Sequence, residues 1–138
     1  SRELAPLLLR LDFKVTVFEE RDSLIETFPE GIEIIKGRFN NIDSYIKITD
    51  DDYVVIMTSG HIADYEILEQ VTRRDISYIG VIGSKIAATR KKLLEAGIDE
   101  SRIDRIHTPI GIAIKAETPA EIAVSVAAEL ILHRAETK

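Results

Sequence analysis

Apolar and polar positions along the chain fall into alternating helix-like and strand-like segments. Residues Arg2 to Leu11 place Leu4, Leu7, Leu8 and Leu11 three and four apart, the spacing of one helix face. Phe13 to Phe18 then reads as a strand that closes on the acidic pair Glu19 and Glu20, and Ile32 to Ile35 as a short strand between Gly31 and Gly37. Tyr53 to Met57, "YVVIM", is apolar on both faces, as a central parallel strand must be. A helix over Ile62 to Arg73 follows, then a strand over Tyr78 to Ile82, then a helix from about Lys85 to Ala96 that stops at Gly97. Ile110 to Ile114 is expected to form a last short strand. The final helix announces itself in "TPAE": Thr118 as N-cap, Pro119 at the first helical position and Glu121 three residues after the cap make a capping box. It runs to about Arg134 and is apolar almost all round, which predicts burial against the sheet or against another copy of the chain.

Regular strand–helix alternation predicts a three-layer α/β fold, a Rossmann-like doubly wound parallel sheet in a single domain over residues 1–138. One part of that plan is wanting. Such a sheet opens with a strand and a glycine-rich turn, whereas this sequence opens inside what reads as the first helix. The order 3-2-1-4-5 would then have a hole at its centre, to be filled by a preceding segment or by one from elsewhere.

Composition narrows the functional classes. The longest apolar-rich stretch, Ile122 to Leu132, is broken by Ser125 and Glu129 and falls short of the ~20 residues a bilayer crossing needs. With no signal-like opening, the expectation is a soluble, cytoplasmic protein. The absence of cysteine excludes disulfides, thiolate metal sites and cysteine nucleophiles, and three scattered histidines do not make a zinc site. Eighteen basic against 24 acidic side chains, net −6, argue against a broad nucleic-acid footprint. Lys85, Arg90, Lys91 and Lys92 nevertheless cluster after the strand at Tyr78, either as the solvated face of a helix or beside an anionic ligand.

In open parallel sheets ligands bind beyond the carboxyl ends of the strands, where the strand order reverses. This sequence places three groups there. Glu19 or Glu20 stands where a dinucleotide-binding domain holds a ribose diol, and Arg21 is suited to grip a phosphate or to pair with Glu19. "TSGH", Thr58 to His61, offers two hydroxyls, a glycine and an imidazole at a helix start, with His61 and Asp64 one helical turn apart as the only acid–base pair there, unless His61 merely caps the helix. Gly83, Ser84 and Lys85 form a short glycine turn that lacks the spacing of a P-loop or of GxGxxG, but that ends a strand beside "TSGH". His107 and His133 have no evident partner, and Glu121, Ser125 and Glu129 share one stripe of the last helix in a structural role.

In order along nearly the whole chain, "KVTVFEERD", "YVVIMTSGHIAD", "YIGVIGSKIAATRKKLLEAGI", "RIHTPIGIAI" and "TPAEIAVSVAAELI" resemble the C-terminal Rossmann domain of the xanthine dehydrogenase accessory proteins, the XdhC/CoxI family. The resemblance implies a cytosolic factor, not necessarily a catalyst, that binds molybdenum cofactor, assists its sulfuration and delivers it to a molybdenum hydroxylase such as xanthine dehydrogenase, with a sulfurtransferase as a further partner. It carries over onto Glu19 and Arg21, Ser59 and His61, Gly83, Ser84 and Lys85, Arg90, and the "PIG" loop with Pro109 and Gly111. Two positions depart from the family pattern: Ala113 stands where an acidic residue is usual and Lys115 where a glycine is usual. The alternatives are an NAD(P)-binding oxidoreductase with Glu19 on the ribose, and an assembly module whose last helix forms a homodimer or docks on the hydroxylase.

Overall fold

The structure, a computed structural model, describes residues 2–20, 28–58, 61–82 and 86–137, with the backbone alone for His61. The chain forms two compact units, Ser1–Arg38 with Gly111–Lys138, and Phe39–Ile110.

In the unit Phe39–Ile110, β3 (Tyr53–Ile56) and β4 (Tyr78–Val81) pair in parallel, Tyr53 opposite Tyr78 and Ile56 opposite Val81. Every residue of β4 is buried, as the apolar run predicts for a strand covered on both faces. Its second edge is occupied as well. Gly80 bridges His107 in parallel, with His107 N–H donating to Ile79 O (2.9 Å), Val81 N–H to His107 O (2.9 Å) and Ile110 N–H to Val81 O (3.0 Å). The expected strand over Ile110 to Ile114 is therefore displaced toward His107. Gly111 adopts φ 107, a turn that stops an extended run, and the backbone of Ile112 bonds instead to the last helix.

Helix α2 (His61–Val71) packs on α3 (Ala87–Glu95) and on a 3₁₀ stretch, Phe39–Ser44, kinked at Asn41. Gln70 fastens that stretch, accepting from Ile42 N–H (2.9 Å) and donating to Phe39 O (2.6 Å). Leu68, Ile76, Tyr78 and Leu93 are almost fully buried at the centre. Gly97 (φ 89) ends α3 in a Schellman motif: Ile98 N–H reaches Leu93 O (3.1 Å) and Gly97 N–H reaches Leu94 O (3.0 Å). The short helix α4 (Glu100–Ile103) follows.

The other unit holds α1 (Leu4–Arg10), the parallel pair β1 (Thr16–Glu19) and β2 (Glu33–Lys36), and α5 (Pro119–Glu136). Among the described residues, each parallel pair stands as its own two-stranded sheet, and no strand joins β1 to β3. The mixed, parallel-strand architecture is α/β, as the alternation predicts. Helix α1 packs on α5 and ends in the same Schellman geometry as α3, with Asp12 (φ 67) where α3 has glycine. Arg134 ties the two helices, donating to Leu11 O (2.8 Å) with its guanidinium 4.3 Å above the Phe13 ring.

The capping box of α5 forms as expected, Thr118 Oγ1 accepting from Glu121 N–H (3.1 Å) while the Glu121 carboxylate accepts from Thr118 N–H (3.2 Å). Burial on all sides does not follow. Ala123, Ser125, Val126, Ala127 and Leu130 are buried, whereas Val124, Ile131 and Leu132 on the opposite face are exposed.

Candidate functional site

The parallel register of β3 and β4 brings their carboxyl ends to one rim. Ile82 N–H donates to Ile56 O (3.0 Å), so the chain leaves β3 through Met57 and Thr58 directly beside the point where it leaves β4. Helices α2 and α3 follow those exits, and their first turns carry N–H groups without intrahelical acceptors. Ile110, held to Val81, brings Pro109 alongside the same end of β4. Thr58, Ile82 and Pro109 are thus neighbours at the rim where a parallel sheet binds its ligands.

Thr58 Oγ1 donates to Asp64 Oδ1, which ties the exit of β3 to the first turn of α2. The sequence pattern paired Asp64 with His61; a Thr–Asp tether across a strand–helix turn leaves no periodic trace, and the presence of a hydroxyl at the strand end is its only signal. Arg21, Ser59, Gly83, Ser84 and Lys85 lie outside the described residues, as does the His61 side chain.

Arg90 is described, and its surroundings are acidic. Its guanidinium bonds Asp104 Oδ1 (2.8 Å) and Glu100 Oε1 (3.0 Å), clamping α3 to α4 and to the turn after it. The hydrogen bond to Asp104 raises its pKa further above the usual arginine value, against the opposing effect of desolvation. A guanidinium answered by two carboxylates is a weaker anion ligand than the open cation expected from the sequence. Glu19 ends β1 opposite Lys36, where its carbonyl accepts from Gly37 N–H (3.1 Å). Gly111 fits closely against α5, since a Cβ there would lie 2.3 Å from Ser125 Oγ. Ser125 Oγ donates to Ile112 O (2.6 Å) and Ile112 N–H donates to Ser125 O (3.1 Å), a reciprocal lock that gives Ser125 the structural role expected of it. Glu19 and Gly111 thus belong to the unit of β1 and β2, and Thr58, Arg90 and Pro109 to that of β3 and β4.

His107 acquires the partner that the sequence pattern did not reveal. Its ring stacks on Tyr78 at 4.4 Å and 17°, and Tyr78 stacks in turn on Tyr53 at 5.7 Å. The stack builds the core at the starts of the strands, the end away from their exits. Among the described residues, no group of three His, Asp or Glu side chains is placed to hold a metal ion.

The profile of the XdhC Rossmann domain matches residues 1–130. The chain belongs to the XdhC family. XdhC relatives include the uncharacterized protein YqeB of Escherichia coli (strain K12), 33% identical over 136 residues, which cover 95% of this chain and 25% of that protein. A probable xanthine dehydrogenase subunit of Bacillus subtilis (strain 168) is 33% identical over 119 residues, 86% of this chain and 32% of the relative. A crystal structure of a xanthine dehydrogenase from Bacillus halodurans superposes with a TM-score of 0.86 at 31% identity, covering 99% of this chain and 40% of the other. This XdhC domain therefore spans between a quarter and two fifths of the length of these three relatives. Its fold is Rossmann-like, as the strand–helix alternation predicts. Among the described residues, no helix is long and apolar enough to cross a membrane. Lys115, which replaces the glycine expected at that position, sits at φ 59, the left-handed region that glycine occupies without strain.

Proposed function

We propose that this domain belongs to a cytoplasmic, homodimeric accessory protein that binds molybdenum cofactor, assists its sulfuration and transfers it to a hydroxylase of the xanthine dehydrogenase type. Membership of the XdhC family supports the accessory role, and a sulfurtransferase is the partner that sulfuration requires. The observation that supports a binding site here is the parallel register of β3 and β4, which brings the exits of both strands to one rim, with α2 and α3 following them in the chain. Two helix amino-termini at a strand rim suit a phosphate-bearing group.

In this reading, the N–H groups of Gly83 and Ser84 with the Lys85 ammonium hold the cofactor phosphate, and Ser59 and His61 face the pterin. Pro109 shapes the wall, while Arg90, engaged by Asp104 and Glu100, braces α3. The Thr58–Asp64 tether holds the end of β3 to the first turn of α2. Titration of the intact protein with purified cofactor tests the assignment. Ser84→Ala with Lys85→Ala is expected to weaken binding at least about tenfold, the loss of ~1.4 kcal/mol that one or two charge-assisted contacts supply. Arg90→Ala is expected to change affinity less. Unchanged affinity in the double variant would refute the phosphate site.

A second reading, an NAD(P)-binding oxidoreductase, is favoured by Glu19 at the carboxyl end of β1, where a ribose diol is held, with Arg21 following it in the chain. Fluorescence titration with nicotinamide cofactors separates the two, since micromolar binding of NAD(P) would promote this one.

A further inference from the structure

Helix α5 departs from the all-round burial that its sequence predicts. Its inner face is buried, but Val124, Ile131 and Leu132 remain 53%, 39% and 50% exposed. Val124, Ala128, Ile131 and Ala135 succeed one another four, three and four residues apart, with Leu132 beside Ala128, so they make a single longitudinal stripe. Between Glu121 and Glu136 this stripe carries no charged side chain. Ile112, also exposed, is fastened to its flank by the reciprocal bonds to Ser125.

We propose that this face is the interface with a second copy of the same chain, the two α5 helices crossing antiparallel at Ala128. The proposal takes from the functional reading only its dimer, and locates it. Two observations favour a second copy as the occupant. The first is self-complementarity, which a twofold interface demands. Side-chain size along the stripe runs Val124, Ala128, Leu132, large, small, large, about Ala128. A twofold axis there sets Val124 of one copy against Leu132 of the other and lets the helices approach to the ~8 Å that small residues permit. The second is area. The exposed parts of the stripe and Ile112 amount to roughly 400 Å² of apolar surface, within the range of functional patches on monomers. With a polar rim at the ~65% apolar share of homodimer interfaces this becomes roughly 600 Å² per copy, or ~1,200 Å² in all, the lower bound of stable specific interfaces.

The test is the oligomeric state of the intact protein, measured by size-exclusion chromatography with light scattering, together with site-directed crosslinking. The wild-type protein is expected to be a dimer at about 10 μM, a concentration at which a micromolar interface is occupied. Val124→Glu with Leu132→Glu, both at exposed positions, is expected to give a monomer with unchanged thermal unfolding, the dissociation constant rising more than about 100-fold as two charges per copy enter an apolar contact. This domain contributes no cysteine of its own, so Ala128→Cys places a thiol on the stripe; a short bismaleimide is expected to join two copies only when that thiol is present, and not through Leu94→Cys on α3. A wild-type monomer, or a dimer in which Ala128→Cys stays uncrosslinked, overturns the proposal. The latter result would assign this face to another part of the same polypeptide. Should the double variant fail to fold, the crosslink decides.

Discussion

The two parallel strand pairs are alike in length and direction and unlike in environment. Strand β4 is buried at every residue and has partners on both edges, β3 on one and His107 on the other. Strand β1 is half-buried throughout and, among the described residues, pairs with β2 alone, whose ends are exposed. Parallel pairing of so few residues is held by what covers it more than by its ladder. The β3–β4 pair accordingly owes its order to its own core, in which Tyr78, stacked between Tyr53 and His107, and Ile110 close over Gly80. The other unit is held by its helices, through α1 on α5, the Arg134 tether and the lock between Ser125 and Ile112.

This contrast puts the largest loss of stability at the close packing of Gly111 on α5. Gly111 combines φ 107 with a Cβ site 2.3 Å from Ser125 Oγ, so Gly111→Ala is expected to destabilise by about 3 kcal/mol, from strain and overpacking together. Urea unfolding measures it, and Ser125→Ala in the same chain should recover part of the loss; no recovery would mean that the side-chain clash is not the cause.

The corresponding change in the other pair is Gly80→Ala. Its Cβ would lie 2.5 Å from Ile110 Cδ1 and 2.8 Å from Tyr78 Oη. These are side-chain neighbours that can shift, and φ is not positive, so a smaller loss of about 2 kcal/mol is expected. Hydrogen exchange should show faster opening of β4 and of the His107 segment while α5 stays protected. Equal acceleration in both units would show that the two regions are not separately held.

Lys115 tests strain without packing, because it occupies a left-handed φ and is exposed. Lys115→Gly is expected to stabilise the protein by about 0.5 kcal/mol, the relief of strain less the extra freedom of glycine in the unfolded chain. A lower midpoint of unfolding would mean that the lysine makes a compensating interaction.

The smallest effect is a pH dependence at the start of α5. Hydrogen bonds from Glu117 N–H and then Thr118 N–H hold the Glu121 carboxyl below its ordinary value of 4.5. A folded pKa below the unfolded one means that the cap contributes fully above the unfolded value and is lost as pH falls through the lower folded value. Amide exchange in the first turn of α5 should therefore accelerate, relative to the rest of the helix, only in that acid range, and Glu121→Gln should flatten the profile. A profile unchanged by Glu121→Gln would exclude the carboxylate as its source.

How far the chain could be read in advance depended on the reach of each signal. The capping box at Thr118, the glycine stop at Gly97 and the apolar run of β4 act over a few residues, and each produces in the fold what it announces. The family resemblance likewise rests on short runs in a recognisable order, and the profile match agrees with it. Thr58 with Asp64, His107 on Tyr78 and Ser125 with Ile112 are joined by turns and by neighbouring strands, and no spacing marks them.

By itself, the sequence determined most of the alternation of elements, the caps at Gly97 and Thr118 and the α/β class, because helix and strand periodicity and capping are properties of neighbours along the chain. Only the tertiary structure decided which edge His107 would occupy, that Arg90 would answer two carboxylates, and that α5 would hide one apolar face and leave the other open. Those outcomes depend on which distant segments compete for the same surface. Such competition is resolved by packing, where residues far apart in the chain meet.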